Sequence, residues 1–447
     1  VTPRGDRNYD SRTIDITFFI DEGPRVYIER IDVFGNDRTR DYVIRREFDV
    51  SEGDAYNKVL VNLGKTRLER LGFFDGVRIT TRPGSAPDRV VLIVEVKDTA
   101  TGEFSIGGGY STTGGLIAEV SLAEKNFLGR GQFLNLSAGF GDNTSKYELS
   151  FTEPYFLGHR IAAGFDLLYQ NAESNSDTST FYDTETVLGR IRASAPITEN
   201  FRFGVNYTLQ QEDVTADAVT FSLLSPAVQD TIVRSPYTTS ALGYNFLYST
   251  LDSPKLPREG IYARLDQSAA GIGGDGNYIR TEGKFVGYYL ISEDADIVFR
   301  GAAAAGNIHG FGSGTIRVTD HFYAGGESIK GFKTRGLGPR DALTGEALGG
   351  LIYYNAQAEI KFPFFFLPRS YGVYGAIFAE AGTLYDNDFV QPTAGRTLDS
   401  DSIRASVGAS VIWDSPFGPL RADFAHILRE ESFDRTEPFR FGVTTAF

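Results

Sequence analysis

The sequence contains no cysteine and no methionine, and it has a single tryptophan among 447 residues. Without cysteine the chain can build neither a disulfide scaffold nor a thiolate-ligated zinc, haem or iron–sulfur site. Acidic residues outnumber basic ones, 58 against 44, and the resulting net charge of −14 argues against a nucleic-acid binder. No apolar run reaches the roughly 18 residues that a membrane-spanning helix needs, which excludes such a helix.

Glycine and aromatic residues are abundant instead, with 50 Gly, 35 Phe and 23 Tyr. This composition still permits a transmembrane β-barrel, because barrel strands alternate between lipid-facing and lumenal residues and so average out to mild hydropathy. The length allows either two or three ordinary domains or one large β domain with a small one. The residue pattern along the chain therefore has to decide between them.

The first hundred residues mix strand and helix periodicity. Segments of the two kinds follow one another in the order β-α-α-β-β, at 25–34, 39–48, 57–71, 76–82 and 89–97. Gly72 stands where a helix C-cap is expected. The pattern predicts a small α+β domain over residues 24–99.

From residue 101 onward the helical periodicity disappears. About sixteen segments of roughly ten residues alternate between apolar and polar positions, separated by turns rich in Gly, Asn, Asp and Pro. The clearest is 351–362, whose even positions are all apolar. Such alternation without intervening helices predicts a 16-stranded transmembrane β-barrel over 100–447, apolar outside and polar inside. Lipid contact would require the barrel to close, because an open edge leaves backbone groups unpaired.

The longest connection, 306–350, would be the sixth external loop. Its centre is rich in glycine and basic residues, and Ile329 and Phe332 flank Lys330 and Gly331. One interpretation is a flexible, solvated tip. The other is a loop folded back into the barrel, because an apolar pair at an exposed tip would be unfavourable.

A loop inside the barrel would meet carboxylates. Period-2 counting turns Glu359 inward on the twelfth strand, and it turns Glu380 inward beside Phe378 on the thirteenth. The pattern alone leaves open whether Lys330 reaches either carboxylate.

Signals of an enzyme are weak. The four histidines, at 159, 309, 321 and 426, show no metal-binding spacing, and no nucleophile elbow is present. Residues 271–276 match a dinucleotide-binding fingerprint formally, but they lie between two alternating segments, which favours a hairpin turn. We therefore expect no catalytic residues, no metal and no cofactor.

Several motifs resemble those of the BamA family of outer-membrane protein assembly factors, within the POTRA-plus-barrel superfamily. Residues 25–98 resemble the last POTRA domain of that family. The residues that carry this resemblance are Gly35, Asn36, Arg45, Arg46, Glu47, Gly53, Leu68, Gly72, Phe73 and Phe74. Residues 1–23 resemble the tail of a preceding POTRA domain, so a fragment of a longer protein is expected. In the barrel, similar motifs occur at 153–157, 251–260, 322–332 and 415–420.

The resemblance also implies a site inside the barrel. The family's loop motif is matched by Ile329, Lys330, Gly331 and Phe332, and its strand-thirteen motif by Phe378, Glu380 and Gly382. The family pairs the loop arginine with that strand-thirteen acid and with a strand-twelve Glu, here Glu359. In this chain the arginine is Lys330, which lacks a bidentate fork, and the acid is the longer Glu380.

A seam between the first and last strands is the second implied feature. The last strand resembles the terminal insertion signal of barrel proteins through Arg440, Gly442 and Phe447, although Thr445 occupies an apolar position. The first strand contains Phe104 and three consecutive glycines, Gly107, Gly108 and Gly109. Glycine-rich strands pair weakly, so this seam is where we expect opening, and the resemblance identifies it as a lateral gate.

The resemblance implies a non-enzymatic insertase in the outer membrane of a Gram-negative bacterium, with the POTRA domain in the periplasm. Implied partners are unfolded outer-membrane proteins, accessory assembly lipoproteins and outer-membrane lipid, and no nucleic acid. The alternatives are a related two-partner secretion or autotransporter-assembly translocator and, less favoured, a passive channel. A lipid-modifying barrel enzyme is a distant third, because no Ser, His and acid set can be assigned.

Overall fold

The computed structural model describes residues 2–8, 12–19, 25–111, 115–175, 180–253, 256–312, 315–389, 396–415 and 418–443. The chain divides into two compact units. The first comprises Val1–Gly102 with Lys125–Gln132, and the second comprises Glu103–Glu124 with Phe133–Phe447. Among the described residues no helix is long and apolar enough to cross a membrane.

The first unit begins with a hairpin of β1 (Thr2–Asn8) and β2 (Thr13–Phe19). A three-stranded sheet with two helices follows. Its elements are β3 (Tyr27–Phe34), α1 (Asp41–Arg45), α2 (Lys58–Leu71), β4 (Phe74–Pro83) and β5 (Arg89–Asp98). The central strand β5 runs parallel to β3 and antiparallel to β4. The predicted order β-α-α-β-β is therefore observed.

Local chemistry explains the limits of α2. The Asn57 side chain caps its N-terminus by accepting hydrogen bonds from the Val59 and Leu60 amides, and Gly72 ends it with a left-handed φ of 67°. Helix α1 is shorter than the predicted 39–48. The chain leaves it early because Phe48 turns into the core against Gly64.

The second unit is built on one antiparallel sheet. Its strands are Gly102–Ser111, Gly115–Phe127, Gln132–Gly141, Thr144–Glu153, Ala162–Ala172, Asp183–Pro196, Phe201–Thr215, Tyr237–Ser249, Gly260–Ser292, Ile297–Gly310, Ile352–Pro363, Val373–Tyr385, Arg404–Ser415, Gly418–Arg429 and Phe439–Val443. Each strand is hydrogen-bonded to its neighbour in sequence order.

The stretch Gly260–Ser292 comprises two of these strands. Its first half pairs with Tyr237–Ser249 and its second half with Ile297–Gly310. Gln267 in the first half donates a hydrogen bond to Thr281 in the second over 2.8 Å, so the two halves lie side by side. The glycines at 271, 273 and 274 all have positive φ, as a tight reversal requires. The predicted sixteen strands are confirmed, and 271–276 is a hairpin turn.

The longest connection begins later than predicted, at residue 311 rather than 306. The eleventh strand stays paired with the tenth as far as Gly310, which lies opposite Tyr278. Its pairing with the twelfth strand stops earlier, at Asn307. We call residues 311–351 the interior loop.

The sheet curls around the interior loop, because this loop reaches strands far apart in the sheet order. Arg317 forms an ion pair with Glu212 on the seventh strand, and Lys330 forms one with Glu380 on the thirteenth. A flat sixteen-stranded sheet could not present both strands to one loop. The predicted barrel-type architecture is therefore observed.

The packing of Phe48 generates a prediction for the first unit. A glycine inside a helix normally destabilises it relative to alanine. At Gly64, however, an added Cβ would lie 2.5 Å from the Phe48 ring. Gly64→Ala should therefore lower the free energy of opening of this unit by about 1–3 kcal/mol. The exchange rates of the β5 amide hydrogens, measured on the whole chain, report this free energy of opening. Asn62→Ala, at an exposed position of α2, is the control, and equal protection in both variants would refute the packing argument.

Candidate functional site

The centre of the interior loop is buried. Ile329 and Phe332 are each 1% exposed, and they belong to a core cluster with residues of the barrel wall such as Ile308 and Leu384. A solvated tip does not describe this conformation. The apolar pair instead holds the loop against the inward faces of the strands.

Lys330 contacts Glu380 between these two apolar anchors. Its Nζ donates to Glu380 Oε1, and its main-chain N–H donates to Glu380 Oε2 over 2.5 Å. The ammonium also lies 4.7 Å from the centre of the Phe378 ring, a cation–π distance. The structure therefore brings together Lys330, Phe378 and Glu380, a contact that the sequence pattern alone left open and that the resemblance implied.

The two donors of Lys330 explain how lysine serves at this position. An arginine would offer a carboxylate two parallel N–H bonds from one guanidinium. Here the side chain and the main chain of Lys330 supply one donor to each oxygen of Glu380. The Glu380 side chain is buried and the Lys330 side chain is 12% exposed, so removing one partner leaves the other charge poorly hydrated and uncompensated.

Glu359 does not share this contact. It accepts a hydrogen bond of 2.6 Å from Arg421, which also bonds Asp423 over 2.7 Å. In this conformation Glu359 pairs with Arg421 of the fifteenth strand, and the pairing of Lys330 with Glu359 that the resemblance implied stays a prediction. Sequence reasoning missed Arg421, although period-2 counting places it on the same face as Asp423.

Two glycines make room for the loop. A Cβ on Gly382 would lie 2.8 Å from Ile329 Cδ1 and 2.6 Å from the Tyr354 carbonyl oxygen. Gly331 has a φ of 93° and lies against Ala425, whose Cβ would be 3.2 Å from an added Cβ. A side chain at position 382 would collide with Ile329 and with the adjacent strand, and one at position 331 would crowd Ala425 in a backbone conformation that favours glycine.

Polar side chains of the twelfth strand hold the neighbouring backbone. Asn355 Nδ2 donates to the Ser328 carbonyl over 3.2 Å. Gln357 Nε2 donates to the same carbonyl over 2.9 Å and to that of Glu327 over 3.1 Å. The inward face of this strand thus binds the loop through its main chain.

A second buried cluster, which the sequence did not reveal, holds the start of the loop. Arg317 pairs with Glu212 at 3.2 Å and with Asp320 at 2.9 Å, and it stacks on the Tyr237 ring at 3.7 Å. Arg317 carried no pattern signal, because loop residues have no fixed periodicity.

In the same loop, burial raises the pKa of Glu346, although its carboxylate accepts a 2.7 Å hydrogen bond from the main-chain N–H of Ser225.

The interior loop is also joined to the chain just before the last strand. Gly331–Phe332 pairs as a short antiparallel ribbon with Thr436–Glu437. The Lys333 amide donates to the Arg435 carbonyl over 2.9 Å, and Arg440 Nη2 donates to Thr334 Oγ1 over 2.8 Å. The loop therefore holds the segment that leads into Phe439–Val443.

The residues of the predicted seam lie in the two strands at the ends of the sheet order. The first strand, Gly102–Ser111, contains Phe104, Gly107, Gly108 and Gly109, and the last strand, Phe439–Val443, contains Arg440 and Gly442. Phe447 lies outside the described residues, as do Pro416 and Phe417 of the 415–420 motif. Within the described ranges, these two strands are not hydrogen-bonded to each other in the sheet.

No group of three or more His, Asp or Glu side chains suited to a metal ion occurs in the part of the chain that the structure describes. Ion pairs, hydrogen bonds and packed apolar side chains position the interior loop.

Two family models match the chain. One, described as the Omp85 superfamily domain, matches residues 126–447, and the other, a POTRA model described as a surface antigen variable number repeat, matches residues 26–98. The outer membrane protein assembly factor BamA of Neorickettsia risticii is 32% identical over 437 residues, covering 97% of this chain and 57% of that protein. The BamA of Neisseria meningitidis is 28% identical, covering 98% of this chain and 59% of that protein. The chain spans less than two thirds of either relative.

Solved structures share the fold. BamA from Haemophilus ducreyi lacking POTRA domains 1–3 matches with a TM-score of 0.77 at 24% identity, over 99% of this chain and 88% of that chain. CdiB from Escherichia coli matches with a TM-score of 0.63 at 13% identity, over 99% and 80%. Both matches cover 99% of this chain, so the shared fold extends along its whole length.

The buried ion pair generates a prediction about the loop. Glu380→Ala leaves the Lys330 ammonium buried without its partner, which costs about 3–5 kcal/mol when a buried pair is broken. The loop should therefore undock more often, and trypsin should cleave after Lys330 or Lys333 faster in the intact protein. Glu327→Ala removes an exposed carboxylate of the same loop and is the control. Equal cleavage rates in both variants would show that the pair does not hold the loop.

Proposed function

The chain belongs to the Omp85 superfamily and to its BamA family, and from this premise we propose that it folds and inserts other β-barrel proteins without enzymatic chemistry. The relatives are named outer membrane protein assembly factors, which supports a location in the outer membrane. Its clients would be unfolded outer-membrane proteins. The observation that carries the proposal is the ribbon between Gly331–Phe332 and Thr436–Glu437, which ties the interior loop to the start of the last strand.

The working surface would be the seam between the first and last strands. An unpaired strand edge presents N–H and C=O groups to which an incoming strand can add. The three consecutive glycines of the first strand weaken its pairing. This favours opening at the seam, and the edge would then act as a template for client strands.

The interior loop would keep the last strand aligned while the seam opens. Lys330 and Glu380 fix the loop to the thirteenth strand, and the ribbon fixes the same loop to the segment before the last strand. The loop occupies part of the interior, where it reaches both the seventh and the thirteenth strand. A loop held there argues against a passive channel, which needs an open lumen.

The POTRA domain would lie in the periplasm and receive accessory assembly lipoproteins. Its sheet order leaves β3 and β4 as edges, with β5 between them. Strand addition to such an edge gives affinity through main-chain hydrogen bonds and tolerates many sequences. This supports a docking role for the domain.

A two-partner secretion or autotransporter-assembly translocator is the second candidate, because the resemblance of the sequence extends to relatives with this same architecture. Depletion of the protein in the organism that carries it separates the two. The insertase should cause broad loss of many outer-membrane barrels, counted by quantitative proteomics of the outer membrane. Loss of one secreted client with the other barrels intact would instead establish the translocator.

Lys330 offers a direct test of the loop's role. Lys330→Ala removes the buried ammonium and should reduce assembly activity, measured as the rate at which a client barrel folds into vesicles that contain the protein. Lys330→Arg keeps the charge and the main-chain donor and should retain most of the activity. If the alanine variant assembles clients as fast as the original chain and its loop is equally protected from protease, the contact has no role in assembly.

A further inference from the structure

A cavity of about 520 Å³ lies between the interior loop and the wall formed by the fourth to seventh strands. It is at the end of the sheet where the fifth strand finishes and the sixth begins. Arg335 of the loop lines one side of it, and Arg440 of the last strand lines it as well. Lys330 and Glu380, which hold the loop to the thirteenth strand, do not line it. Its volume is within the range of small-ligand sites, about 300–1,000 Å³.

The lining of this cavity is polar. Six threonines and one tyrosine contribute hydroxyl groups, and Asn143, Gln170 and Asn175 contribute amides. Among the described lining residues only Ala172 has no polar side chain. An apolar ligand would leave these groups unpaired, which is unfavourable, so the lining suits a ligand with many hydrogen-bonding groups.

The charged side chains of the lining are already engaged or exposed. Glu212 belongs to the second buried cluster described above, and Arg440 lies 3.8 Å from Glu437. Arg335 interacts electrostatically with Glu212. Glu173, the remaining charged residue of the described lining, is exposed to solvent. A charged ligand would have to compete with these contacts, so the lining suits an uncharged one.

Three neighbouring side chains of the wall are left to meet a ligand. Gln170 on the fifth strand lies directly opposite Thr186 on the sixth, and Thr184 lies on the same face as Thr186. All three are half-buried, and none has a side-chain hydrogen bond to another described residue. Opposite positions in a sheet are about 5 Å apart, and alternate positions along a strand about 7 Å. These side chains thus form a flat array of groups that both donate and accept hydrogen bonds.

Backbone strain in the interior loop marks the same cavity. Arg335 has a φ of 55°, a left-handed conformation that is uncommon for residues other than glycine. Its guanidinium crosses to the wall, where Nη1 donates to Thr180 Oγ1 over 3.1 Å and to the Tyr182 hydroxyl over 3.4 Å, and it stacks on the Tyr323 ring at 4.1 Å. Strained residues persist where the surroundings hold them, and they cluster at sites that bind ligands.

We propose that this cavity binds a neutral saccharide. Each sugar hydroxyl both donates and accepts hydrogen bonds, as do the threonine hydroxyls and the glutamine amide that would meet it. The C–H groups of the sugar ring would lie against the threonine methyl groups and Ala172. An extended peptide fits less well, because its side chains would need apolar or charged pockets that the lining does not offer. The inference concerns only the barrel interior, so it does not depend on assembly activity.

Saturation-transfer NMR tests the proposal on the whole chain in phosphatidylcholine nanodiscs prepared without maltoside detergent. The probe is maltose, whose protons should receive saturation from the protein, and a titration gives its Kd. Thr184→Val combined with Thr186→Val removes two hydroxyls at nearly constant volume and should weaken maltose binding about tenfold. Thr208→Val is the matched control, because Thr208 is an inward threonine of the seventh strand outside the cavity, and its Kd should not change. Heat-modifiable gel migration verifies that all variants are folded.

The saccharide could be free or could be the headgroup of a glycolipid, and a second set of nanodiscs distinguishes these sources. If the cavity takes a headgroup, discs that contain a lipid with a maltosyl headgroup should weaken the binding of free maltose by competition. If it takes a free saccharide, the Kd of maltose should be the same in both kinds of disc. Either result supports the saccharide site, provided that the double valine variant binds maltose weakly.

Three results would overturn the proposal. The first is an absence of saturation transfer to maltose in the original chain. The second is an equal Kd for the original chain and the double valine variant, which would place the sugar elsewhere. The third is saturation transfer to a capped, uncharged serine peptide but not to maltose, which would make the cavity a peptide site.

Discussion

A buried charge pair inside the barrel, Lys330 with Glu380, is the contact on which the arrangement of the interior depends. An ionised group is costly to bury unless its partner is in place, so the loop can occupy the interior only in the register that joins these two residues. The apolar residues Ile329 and Phe332 add packing to that register. Gly382 leaves the space that Ile329 fills.

The same pair shows how a change of residue type can be accommodated. A lysine has no planar fork, and a glutamate is one methylene longer than an aspartate. The longer acid reaches both the Lys330 ammonium and the Lys330 amide, so both carboxylate oxygens accept a hydrogen bond. The main-chain N–H of Lys330 thus supplies the second donor that the lysine side chain lacks. The left-handed φ of Gly331, the next residue, sets the position of that main chain.

Much of the fold follows from periodicity. Period-2 alternation gave the strand count and the inward direction of Glu359 and Glu380, because successive side chains of a strand point to opposite faces. Sequence spacing could not give their partners. Glu359 binds Arg421, some sixty positions away, because the sheet curls and brings the twelfth and fifteenth strands to face a common interior. The limits of helix α1 and of the interior loop shifted for the same reason, since long-range packing and pairing determine where an element ends.

By itself, the sequence determined the two-part architecture, the sixteen alternating strands and a basic, apolar loop centre, because these depend on local spacing and composition. Only the tertiary structure decided where that loop lies, that Lys330 forms its ion pair with Glu380, and that Thr436–Glu437 pairs with the loop. Those contacts join residues distant in the chain. Their energy depends on burial and on the positions of partners, and neither is encoded in any short segment.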